Sequence, residues 1–359
     1  MRKPVRTGKE KNMGTIGIMT FLHNGNYGSS LQAYALQRVV REMGYDCEHM
    51  DYRPDLREKA ENLIRCGNSP KLLLEGQRKR QVRGSQEGMR AKHRAIDDFY
   101  ARRMALSPVC RNRKELSRLS GRYDQLMCGS DQIWNPVWMN PAYFLDFGAP
   151  EKRRIAYAPS LGVSTAPGRR KSRMIRRALA LFDAVSVREE EGARLLVTVT
   201  GNRPPVMPDP VCLLRKEEWL ELAAPLPGRE GRLLCYFIGE NPEYWRRVLA
   251  LSQEKGLTPL VIPVTAESYA QPFEKLDGAG PEAFLGAVAG AGMLCTDSFH
   301  GLAFGSIFGK PVDLLRRYRD TDRESKNSRV DHFLRETRSR GLERMRQEGL
   351  EWLSRNLEG

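Results

Sequence analysis

His300 stands in the hexad Thr296-Asp297-Ser298-Phe299-His300-Gly301, between a short apolar run, Met293 to Cys295, and an amphipathic continuation from Leu302 to Phe308. An imidazole can give or take a proton near neutral pH. The junction of a strand's C-terminal edge with a helix N-terminus is also where open α/β sheets place their ligands. Asp297 offers a carboxylate that could orient a hydroxyl or cap the helix. The other four histidines, His23, His49, His93 and His332, have no comparable setting, although His23 opens a second loop.

That loop, His23-Asn24-Gly25-Asn26-Tyr27-Gly28-Ser29-Ser30, follows a β-branched apolar run, Thr15 to Phe21. Its glycines admit a close backbone approach, and its N–H groups could face an anion. It has neither the G-x-G-x-x-G spacing nor the P-loop lysine, so neither a dinucleotide nor a Walker-type triphosphate site is indicated. A purely structural βα loop is an equal reading. Gly129-Ser130-Asp131-Gln132-Ile133-Trp134-Asn135-Pro136 reads two ways: as a side-chain-capped turn anchored by Trp134, or as a carboxylate, amide and indole gripping sugar hydroxyls and a pyranose face. In Ser186-Val187-Arg188-Glu189-Glu190 the arginine either pairs with a nearby carboxylate or takes a phosphate or carboxylate in its planar fork.

These loops need elements to hold them, and strands alternate with helices along the chain. Leu31, Ala35, Val39 and Met43 recur at helical spacing up to Gly44, and Tyr45 to Tyr52 returns as a strand. Gln125 to Cys128, Arg154 to Ala158 and Ala184 to Val187 read as buried strands, and Glu189 to Val197 as helix. Gly201 to Pro210 carries four prolines, a stiff connection. Beyond it, strands are predicted at Leu233 to Ile238, Pro259 to Val264, Met293 to Cys295 and Val312 to Leu315. Helices are predicted at Glu243 to Glu254, Pro281 to Ala289 and Gly301 to Phe308, with more in the charged tail. The reading is an α/β protein of two Rossmann-like domains, 1–204 and 205–359, facing a cleft.

Composition excludes several classes. With 359 residues, 40% apolar and 29% charged, the chain is a globular protein able to build two cores. No apolar run reaches the roughly 20 residues of a membrane span. The basic start, 1–11, is not followed by an apolar core and cleavage site, so a cytoplasmic protein is predicted. The seven cysteines form no C-x-x-C pair, which fits reduced thiols and no structural metal. Of the formal charge of +15, an excess of 11 lies between Asn62 and Arg122, where 16 Lys and Arg face 5 Asp and Glu. This helical excursion, 62–122, is densest at Gln77 to Arg83 and Arg111 to Lys114. It is either a solvated helical face or a surface for anions. Its few aromatic residues favour an anionic membrane over nucleic acid.

Together the segments resemble the polysaccharide pyruvyl transferase family. The resemblance runs through Gly-Ile-Met-Thr-Phe, Asn-Tyr-Gly-Ser-Ser-Leu-Gln-Ala-Tyr-Ala-Leu, Gly-Ser-Asp-Gln-Ile-Trp-Asn-Pro, Ala-Tyr-Ala-Pro-Ser-Leu-Gly, Ser-Val-Arg-Glu, Pro-Asp-Pro-Val and Thr-Asp-Ser-Phe-His-Gly-Leu-Ala-Phe-Gly, in order. It implies a fold similar to the two-domain GT-B glycosyltransferases. The implied activity is transfer of pyruvate from phosphoenolpyruvate to two sugar hydroxyls, closing a cyclic ketal, with no cofactor beyond that donor. The acceptor sugar is nucleotide-linked, lipid-linked or polymeric. By the resemblance His300 looks like the general acid or base and Arg188 like a ligand for the donor's anionic groups. Asp131 or Asp297 could orient the acceptor hydroxyl. Asn26, Tyr27, Gly28, Ser29, Ser130, Gln132, Trp134 and Ser298 are the expected substrate contacts. Many members carry an arginine where this chain has Ser298, and Arg316, Arg317 or Arg319 is the expected replacement. The competing readings are a GT-B glycosyltransferase with a nucleotide-sugar donor and a non-catalytic anion-binding protein.

Overall fold

The structure is a computed structural model and describes residues 13–69, 86–317 and 327–358. Strands β1 (Thr15–Met19), β2 (Asp46–His49), β3 (Gln125–Cys128), β4 (Arg153–Ala156) and β5 (Ala184–Val185) form one parallel sheet in the order β2-β1-β3-β4-β5. Strands β6 (Leu233–Tyr236), β7 (Pro259–Val261), β8 (Glu274–Lys275), β9 (Met293–Thr296) and β10 (Val312–Leu314) form a second, in the order β10-β9-β6-β7-β8. The central strands are near-continuous buried runs because helices cover both faces.

The helices are, in chain order, α1 (Tyr27–Glu42), α2 (Leu56–Cys66), α3 (Gln86–Arg103), α4 (Arg113–Ser120), α5 (Arg169–Leu179), α6 (Glu190–Thr200), α7 (Lys216–Leu220), α8 (Pro242–Lys255), α9 (Ala266–Ala270), α10 (Pro281–Gly290), α11 (Phe299–Ile307), α12 (Asn327–Ser339) and α13 (Gly341–Glu358). Two begin earlier than the apolar spacing predicts. Asn26 caps α1 by accepting from the Ser29 N–H, and Ser298 caps α11 by accepting from the Gly301 N–H. Gly28, Ser29 and His300 therefore lie in first helical turns, not in loops.

Strand order reverses once in each sheet. In the first the chain steps from β1 to β2 on one side and then to β3 on the other; in the second it steps from β6 through β7 and β8 before β9 pairs on the far side of β6. The crevices at these two reversals, β1/β3 and β6/β9, are the natural ligand positions of such sheets.

The two sheets share one apolar cluster, in which Ile16 and Ile18 of β1 join Leu234 and Tyr236 of β6. Tyr27 stacks on Phe284 with ring centroids 4.9 Å apart, and Tyr34 meets Trp219 at 6.0 Å. The last helix returns to the first sheet, where the Leu357 carbonyl accepts from Gln125 Nε2 at 3.1 Å and the Asn356 carbonyl from Arg153 Nη2 at 2.8 Å.

The described middle of the basic segment packs one face and leaves the other exposed. Helix α3 lies across the seam between the sheets. Its Ala91 and Ala95 rest on Gly278 and Gly280, where a β-carbon would come within 2.8 and 3.0 Å of the two alanine methyls. Arg102 and Arg103 pair with Glu282 at 2.7 and 2.9 Å, and Lys92 stands 4.1 Å over the Tyr27 ring. Gln77 to Arg83, the densest cationic run, lies outside the described residues. Among the described residues no helix is long and apolar enough to cross a membrane.

Candidate functional site

At the β6/β9 crevice, the chain leaves β9 through Asp297 and Ser298 into α11. Both Asp297 oxygens are taken: Oδ1 accepts from the Ile238 N–H at 2.7 Å, and Oδ2 accepts from the Gly239 N–H and from Arg317 Nε, each at 2.8 Å. That carboxylate ties the β9 loop to the β6 loop, and its oxygens are engaged in holding the two loops together. Ser298 is buried and engaged as the α11 cap.

His300, one residue into α11, reaches across the seam and lies against Gly28 of α1. A β-carbon at Gly28 would sit 2.0 Å from His300 Nδ1, so only glycine leaves room for the ring. The other ring nitrogen, Nε2, lies 3.5 Å from Asp209 Oδ2. Arg188, which follows β5, brings Nη1 to 2.5 Å from the same carboxylate oxygen. An imidazole carried by the second sheet and a guanidinium carried by the first thus converge on one carboxylate of the connecting segment.

Asp209 is buried, and burial alone would raise its pKa. The neighbouring His300 and Arg188 outweigh burial and hold the carboxyl well below the usual range. Its Oδ1 accepts from the Val211 N–H at 3.1 Å, and Ser130 Oγ donates to Oδ2 at 3.3 Å. Arg188 is also buried, with its guanidinium 4.8 Å over the Phe299 ring. Arg188 Nε also stands 3.7 Å from Glu189 Oε2, so the arginine pairs with two buried carboxylates; Nε and Nη2 of Arg188 and Nε2 of His300 donate no hydrogen bond among the described residues.

At the β1/β3 crevice Ser29 Oγ donates to Asp131 Oδ2 at 2.5 Å, joining the two strand-end loops. Asp131 holds φ at 70° with ψ at −176°, a region almost reserved for glycine, and such strain costs about 1–3 kcal/mol and gathers at functional sites. Nearby, Asn26 is engaged as the cap of α1 and the buried Ser130 donates to the Ala158 carbonyl at 2.7 Å. Gln132 turns its amide oxygen, oriented by its partners, to Nη1 and Nη2 of Arg329 at 2.7 and 2.8 Å.

Two of the expected contacts lie in packing rather than at a crevice. Trp134 is fully buried, stacked on Phe144 at 5.0 Å and edged by Phe182 at 5.8 Å, with its indole N–H donated to the Tyr143 carbonyl. It anchors the loop, and no face of it is left for a sugar. Tyr27 is buried in the seam and donates its hydroxyl to the Ala279 carbonyl at 2.9 Å; it packs the two sheets together rather than facing a crevice.

Two residues of the site escaped the sequence reading. Asp209 sits in Pro208-Asp209-Pro210, part of a motif that carries the resemblance, but the prolines read as a stiff linker and the carboxylate between them has no assigned role. Arg329 opens the charged tail, where one arginine among many gives no signal. Of the expected replacements for a cation at position 298, Arg316 pairs with Asp331 at 3.0 Å and Arg317 with Asp297 at 2.8 Å; Arg319 lies outside the described residues.

Comparison with known proteins follows this geometry. A family model described as polysaccharide pyruvyl transferase matches residues 26–312. No curated protein matches the chain. Among solved structures, a UDP-N-acetylglucosamine 2-epimerase from Rickettsia bellii is similar with a TM-score of 0.50 at 7% identity, over 96% of this chain and 94% of that one. A UDP-GlcNAc 2-epimerase from Neisseria meningitidis gives 0.48 at 9% identity, over 96% and 99%. An E. coli heptosyltransferase, WaaC, gives 0.37 at 12% identity, over 90% and 99%. At such identities the likeness concerns the fold alone.

Proposed function

The chain belongs to the polysaccharide pyruvyl transferase family, and from that premise we propose that it transfers pyruvate from phosphoenolpyruvate to two hydroxyls of a sugar in a polysaccharide or glycolipid precursor, forming a pyruvyl ketal. The observation that carries this reading is the meeting of His300 Nε2 and Arg188 Nη1 on Asp209 Oδ2, at 3.5 and 2.5 Å.

The chemistry follows from the groups present. Phosphoenolpyruvate becomes electrophilic at C2 once its methylene carbon takes a proton, and His300 is the donor at hand. One sugar hydroxyl adds to C2 and loses its proton, the C2–O bond to phosphate breaks, and the second hydroxyl closes the ketal. One hydroxyl proton balances the new methyl group, and the other leaves with inorganic phosphate. Arg188, through Nε and Nη2, faces the donor's phosphate or carboxylate, where a preorganised cation offsets charge with little rearrangement. Asp209 keeps both groups aimed. Asp131, braced by Ser29, orients an acceptor hydroxyl from the first sheet's crevice.

The cavity lined by Arg188, Asp209, Phe299 and His332 holds about 20 Å³, room for a single water. The donor therefore enters only when the seam opens. A neighbouring cavity, lined by Asp297, Arg316 and Arg317, holds about 100 Å³, well below the roughly 300 Å³ at which pockets start to take drug-sized ligands. Arg111, Lys114 and Arg118 add exposed positive charge to the first domain, which supports peripheral contact with an anionic membrane and a lipid-linked acceptor.

Incubation with phosphoenolpyruvate and a panel of nucleotide-linked and lipid-linked sugars, followed by phosphate release and the mass gained by the sugar, tests the proposal. Phosphate released without a ketal-bearing sugar, or no consumption of the donor, counts against it.

A further inference from the structure

Arg329 opens helix α12 and is almost wholly buried, with 9% of its surface exposed. Its two Nη atoms donate to the Gln132 amide oxygen; among the described residues its Nε has no hydrogen-bond partner and no carboxylate forms an ion pair with it. A neutral amide does not offset a buried guanidinium, and a buried charge without a counter-charge costs several kcal/mol. Burial first, and Arg188 nearby second, pull the Arg329 pKa down to about 10, against smaller opposing effects of Glu189 and Asp131. Two buried arginines thus repel one another, and among the described residues Nε and Nη2 of Arg188 and Nε of Arg329 donate no hydrogen bond, although Glu189 Oε2 stands 3.7 Å from Arg188 Nε.

The placement says where an acceptor would go. Arg329 lines two small cavities, one at the seam and one within the second half of the chain. One it shares with Arg188 and Asp209, the other with Arg316 and Arg317. Phe299 forms the wall common to the two.

We propose that Arg329 is a donor-binding residue, joining Arg188 in a two-guanidinium subsite for the dianionic phosphate of the three-carbon donor. This inference rests on the pyruvyl-transfer reading. An oxygen-rich dianion supplies the acceptors that the two side chains lack and removes their mutual repulsion, so affinity comes from relief of a cost already present in the free protein. Gln132 fixes the guanidinium plane from behind without neutralising it.

The test is calorimetric binding of phosphoenolpyruvate to the whole protein, with inorganic phosphate as competitor, for the parent, Arg329→Gln and Arg329→Lys, each with its thermal midpoint measured free and with donor. The expected result is about 10- to 100-fold weaker donor binding in Arg329→Gln, the range for a lost charged hydrogen bond, partial recovery in Arg329→Lys, and competition by phosphate in the parent. The ligand-free midpoint of Arg329→Gln should equal or exceed the parent's, while its rise on adding donor should vanish. Parent-like binding by Arg329→Gln overturns the role of Arg329 and leaves pyruvyl transfer standing. A parent that does not bind the donor overturns both. If Arg329→Gln fails to fold while Arg329→Lys matches the parent in midpoint and affinity alike, the residue serves the fold and the inference is wrong.

Discussion

Gly28 and His300 touch across the seam so closely that a β-carbon on the first would lie 2.0 Å from Nδ1 of the second. The position of the imidazole is therefore set by a residue of the other sheet, through the absence of a side chain there. Gly28→Ala pushes the ring off Asp209. We expect a fall in turnover of about 100-fold, the scale for a 1 Å misplacement of a reacting group, with the thermal midpoint moved far less than the rate. A Gly28→Ala enzyme with parental turnover would show that the ring has slack the geometry denies.

Asp209 neutralises Arg188, and both are buried. Asp209→Asn leaves a buried guanidinium without its counter-charge, so we expect about 3–5 kcal/mol lost in chemical denaturation at neutral pH. The pH dependence has a definite sign. A carboxyl held below its unfolded value contributes stability above pH of about 4, and that contribution disappears as pH falls through the depressed folded value. The gap between parent and Asp209→Asn should narrow in acid. A gap constant from pH 7 to pH 3 would show that the charge of Asp209 is not what stabilises the parent.

His49 gives a second pH signature. It is buried with Nε2 2.9 Å from the Ala33 carbonyl, and burial pulls its pKa down to about 4. The unfolded chain takes up this proton first, near pH 6.5, so stability falls as pH drops from there toward 4, by about 3 kcal/mol in all. His49→Gln should flatten that part of the curve measured by urea unfolding at stepped pH. Equal slopes for parent and variant would assign the acid sensitivity elsewhere.

Much of the frame was legible because β-branched runs and helical spacing report burial directly. Gln125 to Cys128 is a strand over the span its sequence predicts, and the two-sheet architecture follows from the alternation. Helix starts were misplaced where a cap decides them. Asn26 and Ser298 look like loop polarity until they are seen accepting from N–H groups, and this put Gly28 and His300 into helices. Trp134 beside amides and a carboxylate reads equally as a sugar platform and as a loop anchor; only its contacts with Phe144 and Phe182 decide. Asp209 was hidden because proline on both sides signals stiffness and says nothing of the charge between. Arg329 was hidden because its meaning lies in Gln132 and Arg188, distant in sequence, and helix α3 looked like an excursion because its partners, Gly278, Gly280 and Glu282, belong to the other half of the chain.

The central claim is that the imidazole held between Gly28 and Asp209 delivers the proton that makes phosphoenolpyruvate reactive. Steady-state phosphate release from phosphoenolpyruvate with a sugar acceptor, compared between the parent and His300→Gln at matched thermal midpoints, tests it most directly. The account predicts a loss of about 100- to 10,000-fold in turnover, the usual contribution of a positioned acid, with donor binding largely kept. Release at the parental rate by a folded His300→Gln enzyme would contradict it.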